Sequence, residues 1–284
     1  MCYCRASNNA IADVNARGRI WAIPALHANI DALINIHDQL LEHFEAGDKI
    51  IYLGNYTGYG AAPIETLNEI LTFRRLILSF NGVFPNDIVY LRGAQEEIFE
   101  KLWQLHYAPD AEKVLLWMLG NGLSPTLQAL DIDPHDVINA VRYGSNYMSQ
   151  WINKTRRMIR SKVVYDDFFI HMKRAATSTH AIANEEDGST RDYRLLFVNA
   201  GLKADKTLTE QADAFWWQGD HFDSLKDQYS DFDVVIRGYD PKHRGIYVRK
   251  HFATLDNGNG FGGDLICAAI SHKGDILHYL EAVQ

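Results

Sequence analysis

The chain has 284 residues, 47% hydrophobic and 23% charged, with only 7 prolines. This excludes wholesale disorder and collagen-like repetition, and it suits one large folded unit of the α/β or β-sandwich type. Lys and Arg number 28 against 36 Asp and Glu, a formal charge of -8, so no global positive field draws in a phosphate backbone and no nucleic-acid partner is expected.

The first residues carry Cys2 and Cys4; the third cysteine, Cys267, is far away. So sparse and odd a set argues against a disulfide framework and for a reducing compartment, and Cys2 and Cys4 lack the second ligand pair of a zinc site. Met1 to Gly18 lacks the apolar core of a signal peptide, and no later stretch is apolar for long enough to span a bilayer. The expectation is a cytoplasmic protein without a membrane partner. Arg19 to Ile23 then reads as a strand, and Asn29 to Glu45 as a helix with Ile30, Leu33, Ile34, Leu40 and Leu41 on its apolar face. Lys49 to Leu53 is the next strand. A glycine-rich turn from Gly54 to Gly60 leads through Pro63 into a helix ending near Phe80. Asp87 to Leu91 is a third strand and Ala94 to Leu105 a third helix. This β-turn-α alternation predicts a sheet with helices outside and its strand-to-helix turns gathered at one edge.

From Ala108 to Lys162 the strand signal vanishes, and helical segments such as Glu112 to Leu119 and His135 to Arg160 predict a helical insertion within a single domain spanning 1–284. Leu115, Trp117, Tyr147 and Trp151 are expected to pack it beside the turn edge. Strands are predicted at Val163 to Met172, Tyr193 to Asn199, Val234 to Gly238, Ile246 to Arg249, Phe252 to Leu255, Leu265 to Ser271 and Ile276 to Glu281, as hairpins of a second sheet packed on the first. Asn184 to Asp192 reads as an exposed loop.

The turns, in order, are Ala25-Leu26-His27-Ala28-Asn29, Gly54-Asn55-Tyr56-Thr57-Gly58-Tyr59-Gly60, Leu91-Arg92-Gly93-Ala94-Gln95-Glu96, Phe197-Val198-Asn199-Ala200-Gly201-Leu202, Arg237-Gly238-Tyr239-Asp240-Pro241 and Asp256-Asn257-Gly258 followed by Gly262-Gly263. The series resembles the calcineurin-like metallophosphoesterases, most closely the bacterial phosphoprotein-phosphatase and diadenosine-tetraphosphatase branch. There the same turns read GDxHG, GDxxDRG, LRGNHE, FVHAGL, GHTP and DTG with a following GG. The resemblance covers Arg19 to Leu105 and Phe197 to the C-terminus. It implies a four-layer α/β/β/α fold of two mixed sheets flanked by helices.

The resemblance also implies two divalent metals held by two aspartates, an asparagine and three histidines, with a further histidine protonating the leaving group. Carried over by position, the first aspartate falls on Ala25 and its histidine on His27. The bridging aspartate falls on Asn55, and the DRG aspartate and arginine on Gly58 and Tyr59. The asparagine ligand is Ala94, the catalytic histidine Gln95, and the last two histidines are Asn199 and Tyr239. Ala25 and Ala94 have no side-chain donor, and the Gln95 amide has no proton to give near neutral pH. The expectation is a pseudophosphatase without metal cofactor, serine/threonine phosphatase-like in frame, that binds a partner protein or a phosphorylated ligand. The alternatives are a divergent phosphatase holding one metal weakly through His27, Asn55, Asn199 and Asp240, and an oligomerisation scaffold built on the insertion.

Arg92, His27, Tyr59 and Asn55 are the ligand-binding candidates. Each has a plainer reading: a structural histidine at His27, and an ion pair at the sheet edge for Arg92. Glu96 reads as a charge complementing its helix N-terminus. Tyr59 and Tyr239 are expected to fill the space the metals leave or to lie on the surface. His37 and His43 are badly spaced for one helix face, Asp131, Asp133 and Asp136 lack the rest of a calcium loop, and Asp256 to Gly263 reads as a tight turn. The basic run Lys154, Arg156, Arg157, Arg160 and Lys162 reads as a solvated helix face or a docking site for an acidic partner.

Overall fold

A computed structural model describes residues 10–160, 168–183 and 189–282. Cys2, Cys4 and Lys162 therefore lie outside the described residues. Sheet one has five strands in the order β11-β10-β2-β3-β4 and sheet two has six in the order β1-β5-β6-β7-β9-β8. Their ranges in sheet one are β2 (Ile20–Ile23), β3 (Lys49–Tyr52), β4 (Ile88–Tyr90), β10 (Leu265–Ile270) and β11 (Ile276–Ala282). In sheet two they are β1 (Ile11–Asp13), β5 (Ala175–Ala183), β6 (Thr190–Val198), β7 (Val234–Arg237), β8 (Tyr247–Val248) and β9 (Phe252–Thr254). The predicted architecture of two packed mixed sheets flanked by helices is what the chain adopts.

Three apolar clusters define the four layers. Ile20, Ala22, Ile51 and Leu53 of sheet one meet Leu195, Phe197, Ile236 and Ala253 of sheet two in the middle. The other face of sheet one, with Trp21, Ile23, Ile50 and Tyr52, is covered by α1 (Ile30–His43), α2 (Pro63–Ile77) and α3 (Ala94–Leu102). The outer face of sheet two carries Leu196, Val198 and Val235 under Phe215, Trp216 and Phe222. Strands buried on both faces lose the alternating pattern, which is why IWAI and the IIY that follows Lys49 read as unbroken apolar runs. On the helices the 3.6-residue period survives: α2 buries Leu67, Ile70, Phe73 and Ile77, each such side chain contributing roughly 1.5–3 kcal/mol.

The insertion folds as α4 (Ala111–Met118), a wide turn at Leu119–Leu123, then α5 (Ser124–Ala129), α6 (Pro134–Arg142) and α7 (Ser145–Arg160). The helix expected over His135 to Arg160 is two helices, parted at Gly144, whose φ of 95° suits glycine alone. Leu115, Leu127, Val137 and Ile152 belong to the same cluster as the α1–α3 core, so the insertion extends that core. Leu115 and Trp151 pack into it as expected, whereas Trp117 and Tyr147 stay about half exposed.

Several predicted elements are corrected. The strand expected at Val163 to Met172 is helical over 168–171, where Phe168 packs its ring on Tyr56 and Tyr90; its first five residues lie outside the described residues. Residues 190–192 of the expected loop are strand, paired with Ala181 to Ala183; residues 184–188 are not described. β10 and β11 join sheet one, where β10 runs antiparallel to β2. No helix among the described residues is long and apolar enough to cross a membrane.

Candidate functional site

The first turn leaves β2 with His27 and Ala28 in the left-handed region, at φ 48° and 59°. That shape lets the His27 N–H reach Asn55 O at 2.9 Å and the Ala25 N–H reach Gly238 O at 3.0 Å. Asn55 is itself left-handed and fully buried, and its Oδ1 accepts the Gln95 N–H at 3.2 Å. Asn199 donates through Nδ2 to Leu53 O at 2.6 Å and accepts the Tyr239 N–H on its carbonyl at 2.9 Å. His27, Asn55, Ala94, Gln95, Asn199 and Tyr239, distant in sequence, thus gather at one edge.

Buried Glu96 ties the second turn to the third. Its carboxylate accepts the N–H groups of Asn55, Tyr56 and Gly93, each at 2.9 Å, and of Thr57 at 3.4 Å. The helix-terminus role read from sequence is the smaller part of its work. Gly93 must be glycine, because a Cβ there would collide with the Asn55 backbone and side chain. A second tie was not legible as a role: Asn259 donates to Ala25 O and Leu26 O at 3.0 and 2.8 Å and accepts from Asn29, bolting the last loop to the first turn. Its only sequence signal is the alternation Gly258, Gly260, Gly262, all left-handed.

His27 sits in an aromatic cage. The rings of Tyr59, Tyr239 and Phe261 stand edge-on to its imidazole at 5.4, 5.4 and 5.2 Å. Among the described residues neither ring nitrogen has a hydrogen-bond partner. Burial lowers the His27 pKa to about 4, an effect only partly offset by the Asp256 carboxylate, so the imidazole is neutral at pH 7. Asn55 Nδ2 and Asn199 Oδ1 are likewise buried and unpaired. His243 joins the cage from outside, stacked on Phe261 at 3.9 Å with Nδ1 3.3 Å from Asp256 Oδ2. Tyr59 and Tyr239 are half-buried against His27 and occupy the interior of the edge. Burial raises both phenols above their ordinary pKa, so both stay protonated.

Gln95 closes the edge from the other side. Its Nε2 donates to Asn121 O of the insertion at 3.0 Å, and its amide fills the space left by two left-handed glycines, Gly58 and Gly122. The Gly58 N–H reaches Thr126 Oγ1 at 3.3 Å, and Trp117 touches Trp217 at 5.9 Å, so the insertion rests directly on the turn edge.

The other candidates are placed elsewhere or already partnered. Arg92 pairs with Glu97 at 2.9 Å. Asp240 is held by Arg237 and Arg244 at 3.3 and 2.8 Å. His37 bridges Glu69 and Tyr52 inside the α1–α2 layer, and Asp133 caps α6. Lys154 and Arg157 are exposed on α7, and Arg156 lies over Trp103.

A pair of divalent ions needs several converging oxygen and nitrogen donors. Ala25 and Ala94 supply none and Asn55 Oδ1 is engaged by the Gln95 N–H, which leaves a caged His27 and Asn199 Oδ1, too few donors for two ions. Among the described residues no group of three or more His, Cys, Asp or Glu is placed to hold a metal. These residues do not fit the metal pair that the family resemblance implies.

No family profile matches the sequence, and no curated protein does. Solved structures do. One, described provisionally as a diadenosine tetraphosphatase, aligns with a TM-score of 0.51 over 96% of this chain and 98% of its own, at 13% identity. A protein serine/threonine phosphatase from Saccharomyces cerevisiae, with similarity to human phosphatase PP5, aligns with a TM-score of 0.50 over 97% of this chain and 84% of its own, at 12% identity. The chain shares with these two structures the fold described above, two mixed sheets packed together and flanked by helices. Within that fold the turn edge described above is the C-terminal end of the central strands, where α/β sheets place their ligands.

Proposed function

We propose that the chain is a pseudophosphatase, a metallophosphoesterase-fold protein that acts by binding and not by turnover. The observation that carries this reading is Gln95: where the resemblance places a proton donor stands an amide, docked between Gly58 and Gly122 and bonded to the insertion. Five of the eight left-handed non-glycine residues among the described ones, His27, Ala28, Asn55, Tyr59 and His243, lie at this edge. Each such conformation costs about 1–2 kcal/mol, and here the strain supports a closed aromatic surface. The edge exposes Phe261, Trp117 and Trp217, while Arg92 is spent on Glu97. That chemistry favours an apolar protein surface over a phosphorylated ligand as the occupant.

The test is hydrolysis of a phosphomonoester, a phosphopeptide and a dinucleoside polyphosphate with manganese, magnesium, zinc or iron added. No turnover above buffer is expected, and His27→Ala and Asn55→Ala should change nothing. Metal-dependent turnover abolished by those substitutions would replace this reading with a divergent phosphatase.

A further inference from the structure

A second cleft lies at the opposite end of the sheets, and its chemistry is unlike that of the turn edge. It has a volume of about 510 Å³ and is bounded by Tyr193, Arg249, Lys250, Lys273, Asp275 and Tyr279. Val234 in its wall begins β7, the strand whose far end leads to Tyr239. Two tight turns build it, the Arg249 N–H reaching Phe252 O at 2.7 Å in one and the Ser271 N–H reaching Asp275 O at 2.9 Å in the other. The second turn can press on sheet two only because Gly274, at φ 86°, has no Cβ; one would lie 2.9 Å from Leu195 Cδ2 and Val234 Cγ2. This close approach brings Lys273 on sheet one beside Arg249 and Lys250 on sheet two.

The three cations are poorly neutralised. Arg249 is anchored by Nη1 to the carbonyls of Asp223 and Leu225 at 3.2 and 3.3 Å and lies over the Tyr247 and Phe252 rings at 5.2 and 5.8 Å; among the described residues it meets no carboxylate, and its buried Nε has no partner. Lys250 and Lys273 are exposed, and their ammonium groups have no hydrogen bond or ion pair among the described residues. Asp275 is the cleft's acid, so the lining keeps a net positive charge inside a chain of formal charge -8. The phenol rings of Tyr193 and Tyr279 add flat faces; Tyr193 already carries the Arg191 guanidinium 4.9 Å from its centroid. The volume lies within the range of small-ligand sites.

We propose that this cleft binds a nucleoside polyphosphate, its phosphates on Arg249, Lys250 and Lys273 and its base against the tyrosines. A fixed guanidinium and two mobile ammonium groups suit several adjacent phosphate oxygens, and a planar base has a π-face for the phenols. The site is separate from the turn edge and does not depend on whether that edge is active.

The test is calorimetric titration of the full chain with ATP, adenosine and inorganic tripolyphosphate. Saturable, salt-sensitive ATP binding is expected, no binding of adenosine, and tripolyphosphate weaker than ATP. Lys250→Gln and Lys273→Gln, both at exposed positions, should each weaken ATP on the order of tenfold, as loss of a charge-assisted hydrogen bond does. Lys154→Gln, an exposed cation on α7, should leave it unchanged. Absence of saturable ATP binding, equal affinity for tripolyphosphate, or equal weakening by Lys154→Gln would overturn the proposal. So would loss of ATP binding in His27→Ala alone, which would place the ligand at the turn edge.

Discussion

His27 shows how a single side chain can keep its identity while its surroundings decide its chemistry. Enclosed by Tyr59, Tyr239 and Phe261, it is neutral and unpaired. Its folded pKa of about 4 lies below the ordinary 6.5, so the unfolded chain takes up a proton that the native chain refuses. The linked stability is present above pH 6.5 and is lost as the pH falls towards 4, by roughly 3 kcal/mol in full. Urea unfolding between pH 7 and 4.5 should therefore show less acid sensitivity in His27→Gln than in the natural chain, and a slope unchanged by the substitution would contradict the cage. His37, also lowered by burial, adds its own acid sensitivity to both proteins and cancels in the comparison. The sequence made His27, Asn55, Asn199 and Tyr239 legible because the order of the turns fixes their place. Phe261 and Asn259 were not legible, because their roles depend on a contact across more than two hundred residues and a glycine-rich run shows only that a turn exists.

At the scale of elements, the second turn, the third turn and the insertion behave as one unit. Gln95 occupies space that exists only because Gly58 and Gly122 lack side chains. Restoring one family residue at a time should therefore fail. Gly58→Asp places a Cβ on the Gln95 amide at a left-handed φ of 84°, and it should cost about 3 kcal/mol in chemical denaturation. In a Gln95→Ala background the same change should cost at least about 1 kcal/mol less, the coupling expected of side chains that compete for one volume. Additive costs would mean that Gln95 does not fill that space in solution. The strands missed from the sequence have physical reasons of the same local kind. β5 reads AATSTHAIA, small and polar residues without the bulky alternation of a strand, and it is held by pairing with β6 along its length. β1 is three residues long and exists only beside β5. An aromatic run carries no period to tell helix from strand, so the helix at 168–171, with Phe168 packed on Tyr56, has no signature in the sequence.

At the scale of the molecule, the insertion and α1–α3 share one apolar cluster, while the inter-sheet cluster binds both sheets into the same body. Unfolding of the natural chain should be one transition by near-ultraviolet circular dichroism and by tryptophan fluorescence. Replacing residues 111–160 with a short linker would strip apolar cover from Trp103, Phe99 and Leu102, and should yield a chain that does not fold cooperatively. A cooperative core after that excision would show the insertion to be autonomous. Sheet one has a further property: β2 is flanked by β3 on one side and β10 on the other, with Ala22 opposite Ala268. During synthesis the ribosome must therefore release more than two hundred residues after β2 before that strand gains its second neighbour. Until then the nascent chain presents an unpaired strand border, a template for pairing with other molecules. A transcript that stops short of Leu265 would leave that border open permanently, so prematurely terminated products of this gene should be chaperone clients and proteolysis substrates, not smaller working versions.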